Sequence, residues 1–158
     1  MDAIDAKILT ILQNDARTSN AAIARDLDMA PSAILERIKK LQAKGAIRGY
    51  EAKLEPKELG MDLLAFVFVD TDEVGMEMST GQALADLPEV QEVHHICGED
   101  CYLVKVRASS TEALGRLLRE GFGRVERVKG TRTTIVLNTI KETGRLPVRL
   151  ESNGGDDD

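Results

Sequence analysis

Four basic side chains lie close together in one short stretch of this sequence, with a spacing that suits binding of an anionic partner. The stretch is "LDMAPSAILERIKKLQAKGAI", and it lies within a chain whose formal net charge is −6. Residues 1–50 hold eight basic against six acidic side chains, so the acidity lies in the remainder. Such asymmetry indicates a polyanion-binding segment joined to an acidic segment with another task. The basic side chains are Arg37, Lys39, Lys40 and Lys44.

A second group, in "HHICGEDC", has the side-chain types of a metal site. Its members are His94, His95, Cys97, Asp100 and Cys101. If Gly98 and Glu99 form a two-residue hairpin turn, Cys97 faces Asp100 and the two sulfurs point to opposite faces of the sheet. That geometry disfavours both a shared metal and a disulfide. These side chains are therefore interpreted first as strand residues packed in a sheet.

Three helices position the basic cluster. Apolar residues at helical spacing behind an Asp2 N-cap predict a helix over 3–14, and Ser19 caps a second helix, "NAAIARDL". Pro31 suits the first turn of a third helix, which ends at Lys44 before Gly45. Ile34, Leu35, Ile38 and Leu41 are its predicted apolar stripe.

The opposite side of the third helix presents the basic residues outward. Two helices joined by a short turn, the second carrying an exposed basic face, form the helix-turn-helix arrangement that enters the major groove. A solvated surface helix is the alternative interpretation. In the DNA interpretation the lysines contact phosphates and Arg37 bonds to guanine, while Ser32 and Ala33 touch phosphate, base edges or a thymine methyl. The predicted DNA-binding residues are Ser32, Ala33, Arg37, Lys39, Lys40 and Lys44.

The remainder of the chain alternates in the order β-α-β-β-α-β. "AIRGYEAKL" has strand-type alternation and "EPKELG" forms a turn; "LLAFVFV" then begins the second module. We expect an α+β protein with a helix-turn-helix, winged-helix-like domain (1–50), a connecting strand and hinge (51–61) and a ferredoxin-like domain (62–142). One face of its sheet stays open, which predicts an oligomer contact. Residues 143–158 form a polar acidic tail that we expect to be disordered.

Composition and motifs exclude several functional classes. The sequence has no nucleophile–base–acid arrangement, Gly-rich phosphate loop or paired-carboxylate signature, so we expect no enzyme and no cofactor. Its start does not resemble a secretory signal, and no stretch approaches the roughly 18 apolar residues of a membrane span. We therefore expect a cytoplasmic, nucleoid-associated protein whose cysteines stay reduced.

The segments quoted above resemble the Lrp/AsnC, or feast/famine, family of transcription regulators. The resemblance runs from Asp2 to about Glu142 and rests on four segments in order: "DAIDAKILTILQNDARTSNAAIARDL", "LERIKKLQAKGAIRGYEAKLEPKELG", "GEDCYLVKV" and "RVKGTRTTIVL". It implies a DNA-binding domain followed by a ferredoxin-like domain for effector sensing and assembly. It also implies homodimers, which can join into octamers, and a small effector that is commonly an amino acid.

The effector site implied by the resemblance is the Gly-x-x-Asp-Tyr hairpin together with the Thr-Arg-Thr strand. Here Cys101 replaces the usual Asp, which removes a carboxylate that could receive an ammonium group, and Asp100 or Glu99 can substitute for it. The turn before the third helix, usually Gly-Leu-Ser, is Asp28-Met29-Ala30. The implied effector-binding residues are Gly98, Glu99, Asp100, Cys101, Tyr102, Thr131 and Thr133, with Arg132 nearby.

The leading hypothesis is a DNA-binding transcriptional regulator whose assembly and DNA binding respond to an amino acid or related metabolite. Effector binding would change how dimers associate and hence how many half-sites are held together. Two alternatives stay open. One is a nucleoid-organising protein that has no effector. The other is a thiol- or metal-responsive regulator that uses Cys97, Cys101 and the histidines.

Overall fold

The computed structural model describes residues 1–73, 78–98 and 100–148, and its contacts divide the chain into two units. The first contains Met1–Lys53 together with the described residues from Glu142 to Val148, and the second contains the described residues of Leu54–Lys141. Each unit has an apolar core of its own. The architecture confirms the predicted fold class, a helix-turn-helix module joined to a four-stranded ferredoxin-like module.

Three helices form the first unit: α1 (Ala3–Asn14), α2 (Asn20–Asp26) and α3 (Pro31–Ala43). The predicted caps are confirmed, because the Asp2 side chain accepts a hydrogen bond from the Asp5 N–H and the Ser19 side chain accepts one from Ala22. The α1 start is a reciprocal capping box, in which the Asp5 carboxylate accepts from the Asp2 N–H. Local sequence signals therefore set where these helices begin.

The core of the first unit is a small cluster in which Ile8, Ile23 and Ile34 have no exposed surface. Ile38 and Leu41 of α3 also lie in it, as predicted. The prediction that Leu35 belongs to the apolar stripe is wrong, since that side chain is 40% exposed. Leu35 lies next to the buried Ile34 but at the margin of the stripe, outside the cluster that forms this core.

The strand predicted in "AIRGYEAKL" (46–54) is absent: no residue of this segment, all of which the structure describes, is in a strand. A strand needs a hydrogen-bonding neighbour, and the four-stranded sheet contains only the strands of the second unit. The alternating pattern was therefore insufficient to make a strand here. The predicted turn at "EPKELG" corresponds to a 3-10 turn at Pro56–Leu59.

The C-terminal residues that the structure describes contact α1. The side chain of Gln13 donates a hydrogen bond to the Leu146 carbonyl (3.0 Å) and accepts one from the Leu146 N–H (2.8 Å). Residues 144–146 and Val148 line a cavity of about 1060 Å³ together with the end of α1 and residues 46–53. Residues 144–148, near the start of the tail that we expected to be disordered, thus have a defined position in the first unit, and residues 149–158 of that tail lie outside the described residues.

The second unit is a four-stranded antiparallel sheet in the order β2-β3-β1-β4. Its elements follow the predicted βαββαβ order along the chain. They are β1 (Leu63–Thr71), α4 (Ser79–Ala85), β2 (Val90–His95), β3 (Tyr102–Ala108), α5 (Thr111–Arg116) and β4 (Val128–Ile135).

Both faces of strand β1, which contains the continuous run "LLAFVFV", are apolar. Ala65, Val67 and Val69 of β1 are fully buried in the core, which includes Leu84 of α4 and Leu114 of α5. Phe66 and Phe68 point to the opposite face, because side chains alternate along a strand, and they are only partly buried. This second face is the open face of the sheet.

Candidate nucleic-acid and effector sites

The turn between α2 and α3 has the geometry of a helix-turn-helix. Asp28 adopts the left-handed conformation (φ 52°) that its short polar side chain tolerates. Ala30 is the N-cap of α3 and its side chain makes no capping hydrogen bond, while Pro31 occupies the first turn. Ser32 is exposed at this helix start, where backbone N–H groups favour an anion. Ala33 is partly buried beside it.

The three predicted lysines of α3 are exposed. Lys39 forms an ion pair with Glu36 on the same helix, with the Lys39 Nζ 3.0 Å from the Glu36 carboxylate. Lys40 and Lys44 lie one helical turn apart, so they present their charges along one side of the helix. The lysines therefore have the exposure that phosphate contact requires.

Arg37 differs from the lysines, because its guanidinium forms ion pairs with α1 and its N-cap. One nitrogen lies 2.7 Å from the Asp2 carboxylate and 2.7 Å from the Asp5 carboxylate. The pKa of Asp2 is lowered by the Asp5 backbone N–H and by Arg37. Arg37 lines the same surface as Lys40 and Lys44, but its side chain is only 28% exposed and is paired with these carboxylates, and its contact with DNA stays a prediction. The capping box at the start of α1 places two carboxylates where this arginine can reach them.

The β2–β3 hairpin has the predicted register. His95 faces Tyr102 and Val93 faces Val104, and the Ile96 N–H donates to the Cys101 carbonyl. Gly98 adopts φ 154°, which favours glycine in the turn. The predicted effector residue Glu99 lies outside the described residues.

The Tyr102 side chain lies on the helix-covered side of the sheet and is only 2% exposed. Its hydroxyl donates a 2.7 Å hydrogen bond to Glu73, which follows β1. Partial burial alone would raise the pKa of Glu73, but hydrogen bonds from Tyr102, Thr80 and Ser79 outweigh it and lower the pKa to about 2. Burial and the Glu73 carboxylate raise the pKa of Tyr102 to about 12. The pair is therefore a charge-assisted contact between the buried Tyr102 and a partly buried carboxylate at the edge of the core.

Asp100, the next predicted effector residue, forms an ion pair with the strand that carries the Thr-Arg-Thr sequence. Its carboxylate lies 2.8 Å from the guanidinium of Arg132 on β4. The same guanidinium lies over the ring of Phe68, with its central carbon 4.0 Å from the ring centroid. The Arg132 side chain is 62% exposed. A carboxylate, a guanidinium and an aromatic ring thus meet beside the hairpin.

The remaining predicted effector residues have other surroundings. Thr131 and Thr133 pair with Val69 and Val67, so they project from the face opposite to Arg132. Thr131 is exposed and Thr133 is partly buried. The Cys101 thiol lies 3.9 Å from the Thr71 carbonyl. The structure brings Asp100 and Arg132 together and separates both threonines from them.

The two cysteines are free, Cys97 exposed and Cys101 half-buried. Among the described residues, no group of three or more His, Cys, Asp or Glu side chains could hold a metal ion. Within the same residues, no helix has the length and apolar character needed to cross a membrane.

Sequence reasoning missed Glu73 and Phe68. A signal for Glu73 existed in the sequence, because the residue before α4 is Met78, which cannot cap a helix, so the first N–H groups of α4 need an acceptor from elsewhere. For Phe68 the signal is the alternation of β1 combined with that of β4, which places Phe68 directly opposite Arg132.

Comparison with known proteins identifies both modules. Residues 1–42 match the model of the AsnC-type helix-turn-helix domain, and residues 64–146 match that of the Lrp/AsnC ligand binding domain. HTH-type transcriptional regulator FL11 of Pyrococcus horikoshii is 38% identical over 149 residues, covering 94% of this chain and 97% of its own. The leucine-responsive regulatory protein of Escherichia coli K12 is 34% identical over 151 residues, covering 94% and 92%.

Solved structures show the same likeness. A transcriptional regulator of Neisseria meningitidis, determined as a complex with L-methionine, superposes with a TM-score of 0.86 at 28% identity. The superposition covers 93% of this chain and 96% of that one.

Proposed function

Because the chain belongs to the Lrp/AsnC family of DNA-binding transcriptional regulators, we propose which of its surfaces meet DNA and effector. The first unit binds the major groove through α3. The second unit binds an amino acid at Asp100 and Arg132 and responds by changing assembly and DNA binding. The observation that carries the effector proposal is the ion pair between those two side chains, which lies beside an aromatic ring.

On the DNA side, Lys39, Lys40 and Lys44 contact phosphates. Their exposure and their position on one helix support this role. Ser32 binds a phosphate at the start of α3, and Ala33 contacts a thymine methyl in the groove. These residues form the DNA-binding surface in our proposal.

Arg37 has a different role in the same proposal. Its two ion pairs with Asp2 and Asp5 support a positioning residue that holds α3 against α1. We therefore assign base reading to other residues at the start of α3. This assignment replaces the guanine contact that the sequence suggested.

On the effector side, the charges of the Asp100–Arg132 pair are complementary to those of an amino acid. An α-ammonium group bonds to the Asp100 carboxylate and an α-carboxylate group bonds to the Arg132 guanidinium. The Phe68 ring packs against the Arg132 guanidinium and holds it in position for the effector carboxylate. Asp100 thus supplies the carboxylate that Cys101 lacks.

The other hairpin residues support this site indirectly. Gly98 provides the turn, and the Cys101 N–H donates to the Val69 carbonyl, which fixes the hairpin against β1. Tyr102 anchors the hairpin in the core. Thr131 and Thr133 flank Arg132 on β4, and their pairing with Val69 and Val67 of β1 fixes the register that places Arg132 opposite Phe68. Glu99 remains a candidate from the sequence alone.

We further propose that the protein is a cytoplasmic, nucleoid-associated homo-oligomer with no cofactor. The open sheet face with Phe66 and Phe68 supports a homodimer, because apolar strand surface left in water favours association. Dimers that join into octamers would hold several half-sites together, and the two α3 helices of a dimer would span successive turns of one DNA face.

The experiment that tests the effector site is calorimetric titration of the purified protein with each of the 20 standard amino acids. L-methionine and L-leucine come first, because one similar regulator was solved as a complex with L-methionine and another is named leucine-responsive. We expect at least one amino acid to bind, with affinity lost in Asp100→Asn. Absence of heat with all 20, at protein and ligand concentrations that would detect a millimolar Kd, would overturn the proposal.

A further inference from the structure

The side chain of Glu73, six residues before α4, caps the N-terminus of this helix in place of the N-cap residue. Met78 is the N-cap residue of α4 and makes no side-chain capping bond. One oxygen of the Glu73 carboxylate instead accepts from the Ser79 hydroxyl (2.9 Å) and from the Thr80 N–H (3.1 Å). The first N–H groups of a helix have no partner within the helix, and a carboxylate there is favourable. Glu73 thus fixes the first turn of α4.

The other oxygen of Glu73 accepts from the Tyr102 hydroxyl at 2.7 Å. Donors from two separate elements, α4 and β3, therefore converge on one carboxylate. Their spacing is further restricted at Gly81, because a Cβ there would lie 2.7 Å from a ring carbon of Tyr102. The start of α4 consequently lies directly on the tyrosine ring, and the two cannot shift independently.

Tyr102 is also the first residue of β3, immediately after the hairpin that carries Asp100. We propose that Glu73 is a positioning residue that fixes this hairpin to α4 through Tyr102 and is required for the response to the amino-acid effector. The set of contacts from Glu73 to Tyr102, Ser79 and Thr80 is called here the Glu73 bridge. This inference rests on the proposed effector site at Asp100 and Arg132.

The pKa values of Glu73 and Tyr102 keep the Glu73 bridge intact at neutral pH. The pKa of Glu73 is about 2 and that of Tyr102 is about 12, so the carboxylate stays ionised and the phenol stays protonated between these values. The bridge is therefore not a pH switch in this range. It is a constant restraint, and only substitution or conformational change releases it.

The test uses the full chain with Tyr50→Phe, which leaves Tyr102 as the only tyrosine in a protein without tryptophan. Tyrosine emission is quenched when the phenol donates to a carboxylate, so it reports the Glu73 bridge directly. Glu73→Ala removes all acceptors, whereas Glu73→Gln keeps an oxygen for α4 but removes the charge. Glu120→Ala is the control, because Glu120 is an exposed glutamate of the same unit.

Two readouts are compared in these variants: Tyr102 emission and the L-methionine concentration that half-maximally changes DNA affinity. For Glu73→Ala we expect brighter emission and at least a tenfold higher L-methionine concentration. DNA affinity without L-methionine should stay within twofold of the parent. Glu73→Gln should fall between Glu73→Ala and the parent in the L-methionine assay. If Glu73→Ala does not fold, Tyr102→Phe, which removes only the hydroxyl, should raise the required concentration in the same direction.

The inference is overturned if Glu73→Ala, or Tyr102→Phe in its place, responds at the parental L-methionine concentration. It is also overturned if Glu73→Ala leaves Tyr102 emission unchanged. A parent protein that responds to none of the 20 amino acids would overturn the effector proposal and, with it, the response role of Glu73. Brighter emission in Glu73→Ala would then still establish the contact itself, which distinguishes the two failures.

Discussion

Arg37 and Asp5 form a 2.7 Å ion pair between α3 and α1, and the same guanidinium nitrogen lies 2.7 Å from Asp2. The two aspartates also form the capping box of α1. The N-terminus of α1 and the middle of α3 are therefore joined by one side chain. A movement of α3 relative to the start of α1 must therefore break or stretch these contacts.

This relationship predicts that Arg37→Ala lowers DNA affinity without changing its salt dependence. A residue that positions α3 changes how well the helix fits the groove, whereas a residue that neutralises a phosphate also changes the number of counterions released. Fluorescence anisotropy with a promoter duplex from 50 to 300 mM salt, concentrations chosen for the titration, measures both quantities. A slope reduced by about one unit per half-site would show that Arg37 contacts phosphate instead.

Lys40→Ala and Lys44→Ala should each reduce the same salt slope by about one unit per half-site. These side chains are exposed on α3 and carry the charge that phosphate contact needs. Lys141→Ala, which removes an exposed lysine of the second unit, is the matched control and should leave the slope unchanged. If Lys40→Ala and Lys44→Ala have the same salt slope as the wild type and Lys141→Ala, these lysines of α3 do not contact phosphate, which would contradict the proposed DNA surface.

Asp100→Asn should weaken amino-acid binding roughly tenfold to a hundredfold, since a hydrogen bond to a charged group contributes about 1.5–3 kcal/mol. Arg132→Gln should have an effect of similar size, because it removes the partner of the effector carboxylate. Calorimetry with the bound amino acid measures both, and Asp62→Asn, at an exposed aspartate before β1, is the control. Unchanged affinity in both variants would place the effector elsewhere.

Gln13→Ala should release the C-terminal segment from α1. Both hydrogen bonds to Leu146 are lost, and two net contributions of about 1 kcal/mol correspond to a roughly tenfold or greater rise in the open state. Trypsin should then cleave faster after Arg145, as followed by mass spectrometry. Gln82→Ala in α4 serves as a control. The contact would be contradicted by equal cleavage rates in Gln13→Ala and the wild type.

Acid should narrow the stability difference between the wild type and Glu73→Gln. The pKa of Glu73 is lowered from 4.5 to about 2 in the folded protein, so its stabilising contribution is present above pH 4.5 and is lost as the pH falls towards 2. Glutamine does not titrate. Thermal unfolding at pH 6, 4 and 3, values chosen to span that window, should show converging Tm values. A constant difference across the series would mean that protonation of Glu73 does not matter.

Much of the fold could be predicted because its determinants are local. Asp2, Ser19 and Pro31 mark helix starts by chemistry that acts within one turn. The hairpin register followed from a two-residue turn at Gly98. These features depend on neighbours in the sequence, so the sequence alone was sufficient to place them.

The errors and omissions depend on partners that are distant in the chain. Arg37 was grouped with the lysines because helical periodicity shows which side of α3 it occupies. The same periodicity cannot show that the start of α1 brings two carboxylates to it. Glu73 has donors from Ser79, Thr80 and Tyr102, and only the packed fold brings Tyr102 to it. The alternation in 46–54 likewise indicates a strand only when a neighbouring strand is available.

The most direct test of the central claim is the affinity of the purified protein for a duplex from upstream of its own gene, titrated with salt and with amino acids. We predict tight binding that weakens steeply with salt, because several phosphates are neutralised. We also predict that at least one amino acid shifts this affinity in the wild type and fails to do so in Asp100→Asn. Tight binding that no amino acid changes would contradict the effector site, and absence of binding at low salt would contradict the account as a whole.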